Sequence, residues 1–200
     1  MKKLLKYLAE KLLMKQRFDE KLIINKDYCA TTVSPKSFDE LRKIIEQRYE
    51  EQGTGTKQNP IDFHDIDVSN IYSFYNYKKN KGIFQGTKFK FIDISKWDVS
   101  NATDMKIMFY ECDELESVGD ISKWDVSNVI DMYSMFYDCK SFNQDISDWD
   151  VSSVTIMAFM FCNCESFNQD LSGWNVSKVF YKLNVFNHCP IKEEYKPKFK

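Results

Sequence analysis

Histidine is scarce in this chain: His64 and His188 are the only two among 200 residues. That scarcity weakens any reading that needs an imidazole, whether as a base beside a nucleophile or as a metal ligand. Six glycines and four prolines leave no glycine-rich phosphate loop, and neither HExxH nor GxSxG occurs. No apolar run reaches the roughly 20 residues that span a bilayer. The opening MKKLLKYLAEKLLMK is leader-like, but Lys6, Glu10 and Lys11 interrupt it and no small-residue cleavage site follows, so the expectation is a soluble, cytoplasmic chain. In that compartment the six cysteines are expected as free thiols rather than disulfides.

Charge is also lacking on one side. Residues 92–175 carry sixteen Asp and Glu against four Lys, whereas both ends are net basic and the whole chain is −2. An acidic middle between basic ends steers encounters with charged partners without dictating a fold.

What is present in abundance is self-similarity. Trp97, Trp124, Trp149 and Trp174 are spaced 27, 25 and 25 residues apart, and Cys112, Cys139, Cys164 and Cys189 follow with the same spacings. The first interval is longer because ELESVG precedes Asp120 where SFNQ precedes Asp145. A fifth copy, with Ile66 at the tryptophan position, is visible in DFHDIDVSNIYSFY. In ISKWDVS the apolar residues Ile121, Trp124 and Val126 fit an LxxLxL strand. In VIDMYSMFYDC they are Val129, Met132, Met135, Phe136 and Cys139, one stripe of a helix or of tight helical turns, with Asn128 placed to cap it. Such a unit cannot bury its own apolar side, so neighbours must stack into shared columns of tryptophan, valine, methionine, phenylalanine and cysteine.

DISKWDVSNVIDMYSMF, SFNQDISDWDVSSVTIMAFMF and SFNQDLSGWNVSKV resemble the repeat of the bacterial BspA-type leucine-rich-repeat family, a repeat also found in mycoplasma surface proteins. The resemblance covers roughly residues 61–190. It implies an α/β, right-handed solenoid of about five coils, an interaction role usually exercised at a cell surface, and no catalytic residues. Surface or secreted location therefore stands as the alternative to the cytoplasm. The last unit carries Lys182 and Val185 where methionines stood, as a terminal, capping repeat would.

Residues 1–60 are expected as an N-terminal cap. A basic amphipathic helix over residues 2–24 has Leu5, Leu8 and Leu12 on one side and would dock within the protein, on a partner or on a membrane. A strand within KLIINKDYCATTV follows. A helix in SPKSFDELRKIIEQRYEEQG is marked by a Ser37/Glu40 capping box, a Leu41, Ile44, Ile45 and Tyr49 stripe and a stop at Gly53. Residues 191–200 are expected as a basic tail.

For function, alternate strand residues point away from the core and align in rows. One row holds Asp65, Lys96, Lys123, Asp148 and Gly173; the next holds Asp67, Asp98, Asp125, Asp150 and Asn175; the third holds Ser69, Ser100, Ser127, Ser152 and Ser177. The candidate partner-binding residues are Asp67, Asp98, Asp125, Asp150, Ser100, Ser127, Ser152, Lys96, Lys123 and Asp148, on a concave strand face suited to a protein with a basic surface. A solvated face with hydrogen-bond ladders, or a hard cation on oxygen ligands, are the other readings of these rows. Nucleic acid is not the expected partner there, because phosphates would meet carboxylates. The entering acids Asp93, Asp120, Asp145 and Asp170 are expected to bond turn amides. The cysteine column is read as small buried core thiols, with a metal or thiol site built on Cys162, Cys164, His188 and Cys189 as the competing class. No cofactor and no enzymatic activity are expected.

Overall fold

The computed structural model describes residues 32–199. The helix expected over residues 2–24, and all of KLIINKDYCATTV except Thr32 and Val33, lie outside them. Val33 forms a parallel bridge with Ile66.

Helix α1 spans Phe38–Gln52. Ser37 is extended and its Oγ accepts from Glu40 N at 3.3 Å, while the Glu40 carboxylate reaches back to Lys36 N at 2.7 Å. The acids Asp39 and Glu40 in the first turn suit the positive end of the helix. Gly53, at φ 75°, ends it and returns its N–H to Tyr49 O. Leu41 and Ile45 are fully buried, and Arg42 Nη1 donates to Ile83 O at 2.6 Å. Helix α1 thus joins the same core as the repeats.

Regular strands are short. β1 (Ile61–Asp62) pairs in parallel with β4 (Ile92–Asp93), and β2 (Tyr75–Asn76) with β3 (Lys81–Gly82) in a hairpin. Beyond them the repeats lie side by side through a chain of parallel bridges, Ser73 to Asp104 to Asp131 to Ile156 to Tyr181. Each bridge falls seven residues after its tryptophan. The Trp-Asp-Val segments, read from the sequence as strands, therefore carry no ladder, and the pairing occurs in the segment read as helical.

That segment is built of turns. Ile107 and Glu111, Ser134 and Asp138, Phe159 and Asn163, and Asn184 and His188 all have φ between 52° and 62°. A left-handed residue every fourth position throws the chain out of the helix before a second turn closes. Between these positions N–H groups bond three residues back, as Met108 does to Met105 and Cys112 to Phe109. The intervening N–H groups cross to the next rung: Met105 to Asp131 O, Ile107 to Tyr133 O, Phe109 to Met135 O and Glu111 to Tyr137 O, at 2.8–2.9 Å. The same four-bond ladder recurs from Met132, Ser134, Phe136 and Asp138, and again from Met157, Phe159, Phe161 and Asn163. Buried positions such as Met105, Met108, Phe109 and Cys112 imitate a helical stripe because the turn repeats every four residues, close to the helical 3.6.

The core is a set of files running across the rungs. Phe84, Phe109, Phe136, Phe161 and Phe186 stack in order with centroids 5.3, 5.4, 5.5 and 5.6 Å apart. Phe142 and Phe167 form a second file at 6.0 Å. Trp124 stacks on Trp149 at 6.3 Å, whereas Trp97 lies between Phe74 and Phe84. The break falls at the longer first interval. It leaves a mark in hydrogen bonding: Trp97, Trp149 and Trp174 donate Nε1 to Phe63 O, Ile121 O and Ile146 O, but buried Trp124 Nε1 has no partner.

Part of the basic tail packs against the repeats. Ile191 is buried, Glu193–Tyr195 forms a turn of 3-10 helix, and Tyr195 and Phe199 pack against the core.

Candidate interaction surface

Each repeat enters its tryptophan through an Asp-x-Ser turn and leaves it through another, with Asn175 in place of the aspartate after Trp174. Asp98 Oδ1 accepts from Ser100 N at 3.0 Å and Ser100 Oγ at 2.6 Å. Asp125 does the same with Ser127, and Asp150 accepts from Ser152 N. Asp67 accepts from Ser69 N and, on its other oxygen, from Ser34 Oγ. The entering acids Asp93, Asp120, Asp145 and Asp170 bond Ser95, Ser122, Ser147 and Ser172 in the same way. The side chain replaces a backbone turn bond, which is the local reason the tetrad DVSN recurs. Its last residue ties rungs together: Asn101 Nδ2 donates to Ser69 O and Asn128 Nδ2 to Ser100 O.

These bonds stabilise the ionised carboxylates. The Ser100 hydroxyl and amide hold Asp98 below the usual carboxylate range, Ser152 does so for Asp150 and Ser69 for Asp67. Asp120, Asp145 and Asp170 are lowered by their own serines. Asp98, Asp125, Asp150, Lys96, Lys123 and Asp148 are exposed, while Asp67, Ser100, Ser127 and Ser152 are half-buried. Lys123 Nζ meets Asp148 Oδ2 of the following repeat at 2.6 Å. Nine of the ten candidate residues therefore lie on turns flanking the buried tryptophans rather than on a hydrogen-bonded strand, and Asp67 follows Ile66, with its N–H donating to Val33 O.

Three residues beyond these acids runs a shallow groove that the sequence reading missed. It is lined by Tyr72, Thr103, Ile130 and Thr155 in one file and Asn101, Asn128, Ser153 and Lys178 in the next. The available signal was the apolar doublet Val129-Ile130, in which the second residue has no inward position left. A lysine held by aromatics was equally invisible: Lys106 Nζ sits 4.6 Å from the Tyr75 ring and 5.3 Å from that of Tyr133. Nearby, buried Asp104 accepts from Ser73 Oγ and Tyr77 OH, and that bond pushes the Tyr77 hydroxyl up to about 12.

The cysteines are placed as packing groups. The Sγ of Cys112, Cys139 and Cys164 lies 2.9–3.1 Å from the carbonyl of Phe84, Phe109 and Phe136 respectively, one rung back. Burial pushes the Cys112 thiol up to about 11 and raises Cys139 and Cys164 as well. Among the described residues no group of three or more His, Cys, Asp or Glu converges as a metal site. His64 is held between Asp62 and Asp93, at 3.2 and 2.8 Å. Among the described residues no helix is long and apolar enough to cross a membrane.

One family matches, over residues 78–196, and its description is Mycoplasma protein of unknown function, DUF285. No curated protein and no solved structure matches the chain.

Proposed function

We propose that this chain, which belongs to the DUF285 family of mycoplasma proteins, is a right-handed BspA-type leucine-rich-repeat solenoid that acts as a non-enzymatic protein-interaction module. Its partner is a protein with a basic surface, bound along the Asp and Ser rows. The observation that carries this reading is the set of exposed acids Asp98, Asp125 and Asp150, each fixed by hydrogen bonds to the serine two residues on. A carboxylate already ordered loses little conformational freedom on binding, and a repeated row of them presents one sign of charge to an approaching partner. Cytoplasmic residence belongs to the same proposal; recovery from the outer surface on cell fractionation would instead make the protein an adhesin.

The test removes charge without disturbing the turn. Asn175 occupies the same position in the last repeat and its Oδ1 still accepts from Ser177 N at 3.2 Å, so Asp→Asn is compatible with the geometry. Quantitative affinity capture with the wild-type chain and with D98N/D125N/D150N is expected to show the partner lost from the variant, whose thermal midpoint stays within a few degrees. Capture should also weaken as salt rises through the range where exposed charges are screened. Equal recovery by both proteins would remove the acid rows from the binding site.

A further inference from the structure

A file of five residues runs across the rungs along the shallow groove. Successive backbone bonds set them side by side: Thr103 N donates to Tyr72 O, Ile130 N to Thr103 O, Thr155 N to Ile130 O and Phe180 N to Thr155 O, at 2.8–3.1 Å. Large and small members alternate. Tyr72 is 61% exposed, Ile130 49% and Phe180 74%, while Thr103 and Thr155 between them turn their hydroxyls to the carbonyls of Tyr72 and Ile130. The file is therefore a row of apolar knobs separated by gaps whose hydroxyls are already engaged. Neighbouring rungs lie about 4.8 Å apart, so the gaps at Thr103 and Thr155 recur at roughly 10 Å. Seven residues of α-helix rise about 10.5 Å, whereas like-facing side chains of an extended segment recur every ~6.7 Å. A helix with apolar side chains seven residues apart fills both gaps at once, with Ile130 entering the hole between its turns. An extended segment misses one of them.

We propose that this file and the acid row beside it form the seat of a basic amphipathic helix of a partner protein. In this arrangement, which rests on the acid-row reading, Asp98, Asp125 and Asp150 supply the charge and Tyr72, Ile130 and Phe180 the apolar contact. Asn101 and Asn128 come between the two rows in sequence and commit Nδ2 to Ser69 O and Ser100 O. Amide oxygens and carboxylates are left along that flank, and they complement the donors of Lys and Arg. Lys178 is the one charged residue among those lining the groove. It shares the last rung with Phe180, and a cation there favours a helix whose C-terminus lies at that end. A second copy offers no such element among the described residues: α1 is their one α-helix, and Leu41 and Ile45 on its apolar face are fully buried.

The probe is a synthetic peptide of about four helical turns, with leucine in a heptad pattern and lysine elsewhere. A control of the same composition places its leucines at alternate positions, the strand pattern. Added in reducing buffer to the full isotope-labelled chain, the heptad peptide is expected to shift the amide and methyl resonances of Thr103, Ile130 and Thr155. It should bind about tenfold more tightly than the control. Ile130→Ser, and Thr155→Phe, which fills one gap, should each weaken binding about three- to tenfold without moving the thermal midpoint. D98N/D125N/D150N should weaken it about tenfold and flatten its salt dependence. Equal binding of the two peptides, or no effect of either groove substitution, would overturn the proposal. So would dimerisation of the peptide-free chain that Ile130→Ser abolishes, or tighter binding by a peptide of residues 2–24, since either would give the seat to this chain itself. Weakening by the groove substitutions alone would remove the acid rows and uphold the groove; weakening by D98N/D125N/D150N alone would fail the groove and leave the acid rows standing.

Discussion

The Sγ of Cys139 lies 2.9 Å from the carbonyl oxygen of Phe109, one rung earlier in the stack. The bond gives a fully buried thiol its partner and fixes the cysteine as part of the packing. Because burial raises the Cys112, Cys139 and Cys164 thiols above their ordinary value, they are expected to resist a disulfide reagent at pH 8 in the native protein. All six cysteines should react in guanidinium. A raised folded-state value means that the stability it carries is intact below the unfolded thiol value, about 8.5, and is lost as pH rises past it. Urea midpoints should therefore fall between pH 8 and 10, and less so in Cys139→Ala; rapid labelling of Cys139 in the native chain would contradict this account.

Trp124 and Trp149 share a stacked pair but not a hydrogen bond, since only Trp149 Nε1 has an acceptor, Ile121 O at 2.9 Å. Trp149→Phe discards that bond, whereas Trp124→Phe removes a buried donor that had no partner. Both lose indole area, so the informative quantity is the difference: Trp149→Phe is expected to be the more destabilising by about 1–2 kcal/mol. Urea denaturation of the two variants measures it, and equal losses would show the orphan donor to be satisfied in solution.

A Cβ on Gly82 would lie 1.8 Å from the carbonyl oxygen of Ile107. The neighbour is backbone within the first turn-built rung and cannot step aside as a flexible side chain can. Gly82→Ala is expected to displace the β2–β3 hairpin and to cost about 2 kcal/mol or more, within the range of overpacking. Gly173→Ala, where nothing lies within 4 Å, is the control expected to change little.

Glu111 is exposed and stands at φ 58°, a region that costs an ordinary L-residue about 1–2 kcal/mol. Asn163 occupies the same position two repeats later. Glu111→Asn should therefore stabilise the chain by about 0.5–1 kcal/mol, visible as a higher urea midpoint with an unchanged slope. An unchanged or lower midpoint would mean that Glu111 makes compensating contacts.

Position by position, the files were legible because each column of the stack repeats one residue type at a fixed interval. Phe109, Phe136 and Phe161 could be placed in line from spacing alone, and Ser37, Glu40 and Gly53 marked helix α1 to within a residue. The local conformation of the repeats was not legible. Ile107, Ser134 and Phe159 carry no common signature of a left-handed residue, and a four-residue turn period is too close to the helical one to be separated by apolar spacing. The strand reading of Trp124 to Ser127 failed because Asp125 bonds Ser127 locally, so the alternation of burial came from an Asx turn. Of the candidate site, exposure of Asp98, Asp125 and Asp150 followed from that alternation. The aromatic surround of Lys106 depends on contacts between rungs, which a column of identical letters does not reveal.

Because each rung bonds only to its neighbours, and every interface repeats the same set of backbone bonds, an internal duplication of twenty-five residues would slot into the middle of the array without altering either terminus. Array length is therefore decoupled from foldability, and a lineage can lengthen or shorten its acidic flank by whole units through recombination while keeping the same beginning and the same end.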